Sequence, residues 1–338
     1  RYRVGPSGWT YETVPAPSLG TIGVVATSSR DNRVFFTYTN FIQPTTLYLS
    51  DGSGPVKEVQ RLPAMFDASG LKVEQLETRS KDGTRIPFYV VSREGQPRDG
   101  NNPTLMYAYG GFEVSMTPSY SSTVGANWLE RGGTYVVANI RGGGEFGPAW
   151  HRAGLKENRQ RIYDDFIAVA EELIRLKITS PAHLGIQGGS NGGLLMGVNL
   201  TQRPDLYNAI VIQVPLLDMR RYNQLLAGAS WMAEYGDPDK PEEWEFISKY
   251  SPYQNLKPGQ KYPRVLFTTT TRDDRVHPGH ARKMAAKMES MGYPFYYFEN
   301  TEGGHGSGVT SDQRARTIAL TYVYLWNQLQ RSAPAVPH

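Results

Sequence analysis

The chain has 338 residues, of which 39% are apolar and 20% charged, and a net charge of +4; this describes a globular chain long enough for one large domain or two ordinary ones. The charges are scattered, so nothing suggests a nucleic-acid stripe or a basic membrane-binding face, and the complete lack of cysteine excludes disulfides, thiolate catalysis and Cys-ligated zinc. No apolar run approaches the roughly 18 residues needed to span a bilayer, so a soluble protein of cytoplasm or periplasm is expected, with the compartment left open. The sequence starts Arg1-Tyr2-Arg3 with no initiator Met, and is read as a piece of a longer protein.

In chain order, Val24-Val25-Ala26, Val34 to Tyr38 and Thr46 to Leu49 are short β-rich runs. Ser29-Arg30-Asp31-Asn32 and Asp51-Gly52-Ser53-Gly54 separate them with turn chemistry. The pattern predicts an antiparallel meander over residues 1–68, too small to stand alone and similar to one blade of a β-propeller. Val73–Glu77 and Ile86–Val91 then flank Ser80-Lys81-Asp82-Gly83, a hairpin signal.

From about residue 103 strands alternate with helices. Strands are predicted at 104–107, 135–140, 183–187, 210–213, 265–269 and 295–299, and helices at 162–176, 191–202, 279–291 and 312–330. Phe166, Val169, Ala170, Leu173, Ile174 and Leu176 recur at helical spacing. The fold class is therefore α/β: a mostly parallel sheet with helices on both faces, entered by an antiparallel hairpin, as in the α/β-hydrolase plan. That domain is placed at 69–332, with residues 333–338 a frayed tail.

Gly188-Gly189-Ser190-Asn191-Gly192-Gly193 contains Gly-x-Ser-x-Gly between a β-run (Leu184–Gln187) and a helical run starting at Leu194. Alone, such a segment suits a phosphate-binding turn equally well. With strand before and helix after, it matches a nucleophile elbow. There the serine sits on a strained turn, glycines avoid collision with strand and helix, and the N–H of the next residue, Asn191, points at a developing oxyanion.

A hydrolase of this plan orders its residues Ser, acid, His. Of six histidines, His151 and His183 precede Ser190 and His338 is terminal, leaving His277, His280 and His305. His305, in a Gly-rich loop after the last predicted strand, is the base by that order, whereas His277 and His280 open a helix. The acid falls in Thr271-Arg272-Asp273-Asp274-Arg275, where spacing alone does not separate Asp273 from Asp274. Asp218 is a more distant third.

Tyr109-Gly110-Gly111-Phe112, Asn139-Ile140-Arg141-Gly142-Gly143-Gly144-Glu145-Phe146-Gly147, the Ser190 segment, Asp273-Asp274-Arg275-Val276 and Gly304-His305-Gly306 together resemble the prolyl oligopeptidase family of serine peptidases, in the family's order and over nearly the whole chain. The resemblance implies Ser190 as nucleophile, Asp273 as acid and His305 as base. It implies Tyr109 as a side-chain oxyanion donor beside the Asn191 N–H, and Arg275 as a grip on a substrate carbonyl. It also implies Trp231 as the ring that stacks on a P1 proline, in an apolar pocket completed by Phe112, Tyr235, Leu216 and Val276. Glu234, the one acidic residue in 229–236, keeps a basic P1 preference open. Pro215-Leu216 stands where relatives often have Gly-Val.

The expected function is hydrolysis of short, proline-containing oligopeptides after proline through an acyl-enzyme, with no metal or cofactor. The expected partner is the missing β-propeller of the same protein; nucleic acid and membrane are not expected partners. The alternatives are a related oligopeptidase or esterase with a basic or small apolar P1 preference, and a non-catalytic scaffold on the same fold.

Overall fold

A computed structural model describes residues 2–330 apart from Pro15, Ser53 and Ser307; the predicted frayed tail lies outside the described residues. An exposed hairpin of β1 (Tyr2–Gly5) and β2 (Gly8–Tyr11) comes first. It precedes a four-stranded antiparallel meander of β3 (Thr21–Thr27), β4 (Val34–Thr39), β5 (Thr46–Ser50) and β6 (Lys57–Arg61). Alternation in β4 and β5 turns Phe36, Tyr38 and Tyr48 inward, with Phe36 stacked on Tyr48 at 5.6 Å. β3, at the edge, leaves Ile22, Val24 and Val25 exposed. β6 carries little strand signal because four of the five residues in Lys57-Glu58-Val59-Gln60-Arg61 are polar or charged and all five are exposed.

The main sheet has eight strands: β7 (Leu71–Arg79), β8 (Arg85–Arg93), β9 (Thr104–Tyr107), β10 (Thr134–Ala138), β11 (Leu184–Gly189), β12 (Ala209–Gln213), β13 (Val265–Thr270) and β14 (Phe295–Asn300). Their spatial order is β14-β13-β12-β11-β9-β10-β8-β7. β7 and β8 pair antiparallel, β8 pairs antiparallel with β10, and every pair from β10 through β9 to β14 is parallel. The C-terminal ends of β9 to β14 thus open onto one edge, where loops collect residues remote in sequence.

Both faces of the sheet are covered, so its central strands are apolar in both directions. Met106, Ile186, Ile210, Ile212, Val265 and Phe267 face a core built with α1 (Gln160–Arg175), α2 (Asn191–Gln202) and α3 (Gly279–Ser290). Leu105, Ala209, Val211 and Leu266 face the other way, against Trp128 and α4 (Ser311–Leu329). The meander joins this body through Phe41, whose ring lies 5.4 Å from Tyr89 and 6.3 Å from Tyr135, and the loop after β6 joins it through Phe66, stacked on Tyr120 at 4.9 Å.

The connection between β12 and β13 differs most from the sequence expectation. It holds short helical turns at Tyr222–Gln224, Leu226–Trp231, Met232–Tyr235, Pro241–Ser248 and Pro252–Asn255, none of which was predicted. One or two turns are too short for an apolar period to show.

Candidate active site

The elbow forms where β11 ends and α2 begins. Ser190 has φ 58° and ψ −121°, a left-handed conformation that costs a non-glycine residue on the order of 1–3 kcal/mol. Its N–H is tied to the Gln213 carbonyl at 3.0 Å. Two of the four surrounding glycines are sterically required. A Cβ on Gly188 would run into the Gly192 carbonyl, and one on Gly193 would come within 2.7 Å of Pro215 Cβ and 2.8 Å of the Gln213 carbonyl. At Gly189 and Gly192 it would make only ordinary contacts of 3.5 Å or more, so the expectation that all four avoid collision holds at only two.

Asp273 follows β13 and His305 follows β14, both at the edge that holds Ser190. His305 Nδ1 lies 2.7 Å from Asp273 Oδ2, and Asp273 is 4% exposed. The other oxygen, Asp273 Oδ1, accepts from the N–H groups of Arg275 and Val276 at 2.9 Å each. Asp274 is exposed and accepts instead from the His305 main-chain N–H at 3.2 Å, which holds its carboxyl below the usual range. Geometry thus separates the two aspartates: Asp273 meets the ring and Asp274 the loop backbone.

The other candidates are engaged elsewhere. Asp218 is buried with Gln254 Nε2 at 2.7 Å and with the Lys283 ammonium. His280 Nδ1 accepts from the N–H groups of Leu217 and Asp218 at 3.2 and 3.1 Å, and burial pulls its pKa down to about 4. His277 Nδ1 accepts from the Gly279 N–H at 2.9 Å.

Tyr109, at the end of β9, is half-buried. Burial pushes its phenol pKa up, opposed by the Ser190 hydroxyl beside it and by the charges of Arg275 and Arg159. The phenol therefore stays protonated at neutral pH and can donate beside Ser190. The Asn191 amide is engaged at both ends: Nδ2 donates to the Tyr109 carbonyl at 2.7 Å, and Oδ1 accepts from the Tyr235 hydroxyl at 2.8 Å and from Arg159 Nη2.

Among the proposed pocket residues, Phe112 and Trp231 are partly exposed, while Tyr235, Leu216 and Val276 are buried in the main core. Phe112 packs edge-on to Tyr235 with ring centroids 5.7 Å apart. The Leu226–Trp231 turn is tied to the Arg275 carbonyl through the Ala227 N–H at 3.2 Å, so the Trp231 segment and Arg275 are neighbours. Arg275 itself is exposed.

Glu234 does not offer a free carboxylate to this pocket. It is 5% exposed; Oε1 accepts from the Phe112 N–H at 2.9 Å and Arg159 Nη1 at 3.1 Å, and Oε2 meets His151 Nε2 at 2.8 Å. The Phe112 backbone is left-handed, with φ 55°, and this hydrogen bond helps hold it there. Arg159 and His151 were missed by the sequence reading. Arg159 lies in a polar stretch, Lys156 to Gln160, that looks like surface, and His151 drew notice only as a histidine too early in the chain to be the base.

Fold and elbow together define the class: an α/β-hydrolase with the frame of a serine hydrolase. Comparison with known proteins narrows it. The sequence pattern of the prolyl oligopeptidase family matches residues 118–332, and the chain belongs to that family. It is 53% identical over 326 residues to an uncharacterized peptidase of Sinorhizobium fredii, covering 96% of this chain and 45% of that protein. It is 38% identical to a prolyl endopeptidase of Elizabethkingia miricola, covering 91% of this chain and 44% of that one. A solved post-proline cleaving enzyme from Rickettsia typhi superposes with a TM-score of 0.87 at 40% identity, over 97% of this chain and 48% of that one. The chain thus spans about half the length of the relatives it matches.

Proposed function

We propose that this chain carries the catalytic part of a serine peptidase that cleaves short peptides on the carboxyl side of proline. The carrying observation is the His305–Asp273 contact of 2.7 Å, made at the same sheet edge as the strained Ser190 elbow. Asp273 holds Nδ1 protonated, which leaves Nε2 to take the Ser190 proton as Oγ attacks the prolyl carbonyl. The Asn191 N–H and the Tyr109 hydroxyl stabilise the oxyanion. His305 then protonates the leaving amine, and water resolves the acyl-enzyme with His305 again as base.

Proline at P1 is favoured over a basic residue by the state of Glu234. A Lys or Arg side chain would need a carboxylate that Arg159, His151 and Phe112 already occupy. Trp231 offers a ring face for the flat, apolar pyrrolidine. Arg275 grips the peptide backbone. The β3–β6 meander is read as one propeller blade, residues 1–68 by our division, and the rest of the propeller as its partner.

The test compares chromogenic peptides with Pro and with Arg at P1, in the parent and in Ser190→Ala, alongside fluorophosphonate labelling. Cleavage after Pro that disappears together with the label in S190A supports the proposal. Turnover retained in S190A refutes the nucleophile, and cleavage after Arg refutes the pocket.

A further inference from the structure

Arg159 is 1% exposed, and its guanidinium meets four groups. Nη2 donates to Asn191 Oδ1, Nη1 to Glu234 Oε1 at 3.1 Å and Nε to the Tyr163 hydroxyl at 3.3 Å, while its plane lies 4.3 Å over the Tyr235 ring. The Tyr235 hydroxyl donates to the same Asn191 oxygen at 2.8 Å. With two donors converging on Oδ1, the Asn191 amide cannot flip without setting N–H against N–H. Its Nδ2 must therefore face the Tyr109 carbonyl, 2.7 Å away. The approach is possible because residue 111 is glycine; a Cβ there would lie 2.7 Å from Asn191 Nδ2.

We propose that Arg159 is a positioning residue for the oxyanion site. By locking the Asn191 amide, it pins the main chain of Tyr109 to the first residue of α2. The two proposed oxyanion donors, the Asn191 N–H and the Tyr109 hydroxyl, belong to the two residues so joined. This rests on the function proposed above. The competing role is charge neutralisation alone, with Arg159 present only to balance buried Glu234.

The double variant Arg159→Met with Glu234→Gln separates these roles because it removes both charges together, a change that often leaves stability near the parent's. In the full polypeptide three quantities are measured: steady-state kinetics, affinity for a peptide aldehyde ending in proline, and affinity for the same peptide capped by pyrrolidine. The aldehyde forms a hemiacetal whose oxyanion needs both donors, whereas the pyrrolidine ligand has no reacting carbonyl. The expected result is a loss of kcat and of aldehyde affinity by roughly 10²-fold, the scale of a misplaced catalytic group, with KM and pyrrolidine affinity within severalfold of the parent. Parental kcat and aldehyde affinity would overturn the proposal. If the double variant does not fold, Asn191→Ala, which keeps the Arg159–Glu234 pair and the main-chain N–H, is read by the same criteria. S190A labelling runs in parallel. Label retained in S190A sinks the site itself, whereas label lost with parental kinetics in the double variant sinks only the role of Arg159.

Discussion

Asp273→Asn is the substitution whose outcome the geometry fixes most closely. The amide replacing the carboxylate has one oxygen and one NH2 group to distribute between two environments. One holds the N–H groups of Arg275 and Val276, each 2.9 Å from Oδ1; the other holds His305 Nδ1, 2.7 Å from Oδ2. Turning the NH2 toward the two N–H donors would strip both of their acceptor, at about 1–3 kcal/mol for the buried Val276 N–H alone. The oxygen therefore stays on the main-chain donors and the NH2 faces His305. An NH2 donor there requires Nδ1 to accept, which moves the ring proton to Nε2. Nε2 then has no lone pair for the Ser190 proton.

The expected loss in kcat is about 10⁴-fold, the cost of this tautomer in triads of the same logic, or roughly 5 kcal/mol of barrier. Because the side chain is isosteric and its backbone bonds survive, the thermal midpoint and KM stay near the parent values. The assay is steady-state cleavage of a P1-proline chromogenic peptide by D273N and, in parallel, D274N. Asn at 274 keeps an amide oxygen for the His305 main-chain N–H, so D274N is expected to retain kcat within about tenfold, as for a surface change away from the chemistry. If D273N stays within tenfold of the parent, or D274N falls further than D273N, the assignment of the acid is wrong.

Two further outcomes concern the frame. Gly193→Ala drives a Cβ into Pro215 and the Gln213 carbonyl, main-chain neighbours that cannot turn aside, and is expected to cost about 1–3 kcal/mol and most of the activity. Gly192→Ala, with 3.5 Å of clearance inside α2, is expected to keep the fold and gain up to about 1 kcal/mol; chemical denaturation of both variants checks the contrast. His280, held neutral by burial with its pKa lowered from 6.5 to about 4, takes up a proton more readily unfolded than folded. Its contribution is fully present above pH 6.5 and is lost as pH falls toward 4, by about 1.4 kcal/mol per unit across that window. His280→Gln should flatten the pH dependence of the thermal midpoint there, and an unchanged slope would refute the assignment.

What could be read from the sequence was what local pattern encodes. The parallel strands are runs of Val, Ile, Leu and Phe bounded by turns, and α2 was located to the residue because the elbow fixes its start. The motifs around Ser190, Asp273 and His305 could be read because each lies at a strand end, where short-range chemistry and topology coincide. The unpredicted elements lack that signature. β6 is mostly charged and edge-exposed, and the turns between β12 and β13 are too brief to show a period. Gly192 illustrates the limit of motif reading: it sits in the pattern, yet space does not require it, whereas Gly193, outside Gly-x-Ser-x-Gly, is required by its contact with Pro215.

Charge was the property least legible along the chain, because its meaning depends on partners that only the fold supplies. Glu234, beside a proposed P1 tryptophan, looks like a selector for basic substrates, and Arg159, in a run of polar residues, looks like surface. Folding brings the two together beneath Phe112 and Tyr235, where neither charge faces water. Burial of that pair is costly unless nearly every lone pair and proton is matched, and here the partners include the Phe112 N–H, the Asn191 amide and His151. The same carboxylate therefore favours the apolar pocket proposed above: its charge is already answered from behind, and the residues proposed to meet P1, Phe112 and Trp231, are aromatic.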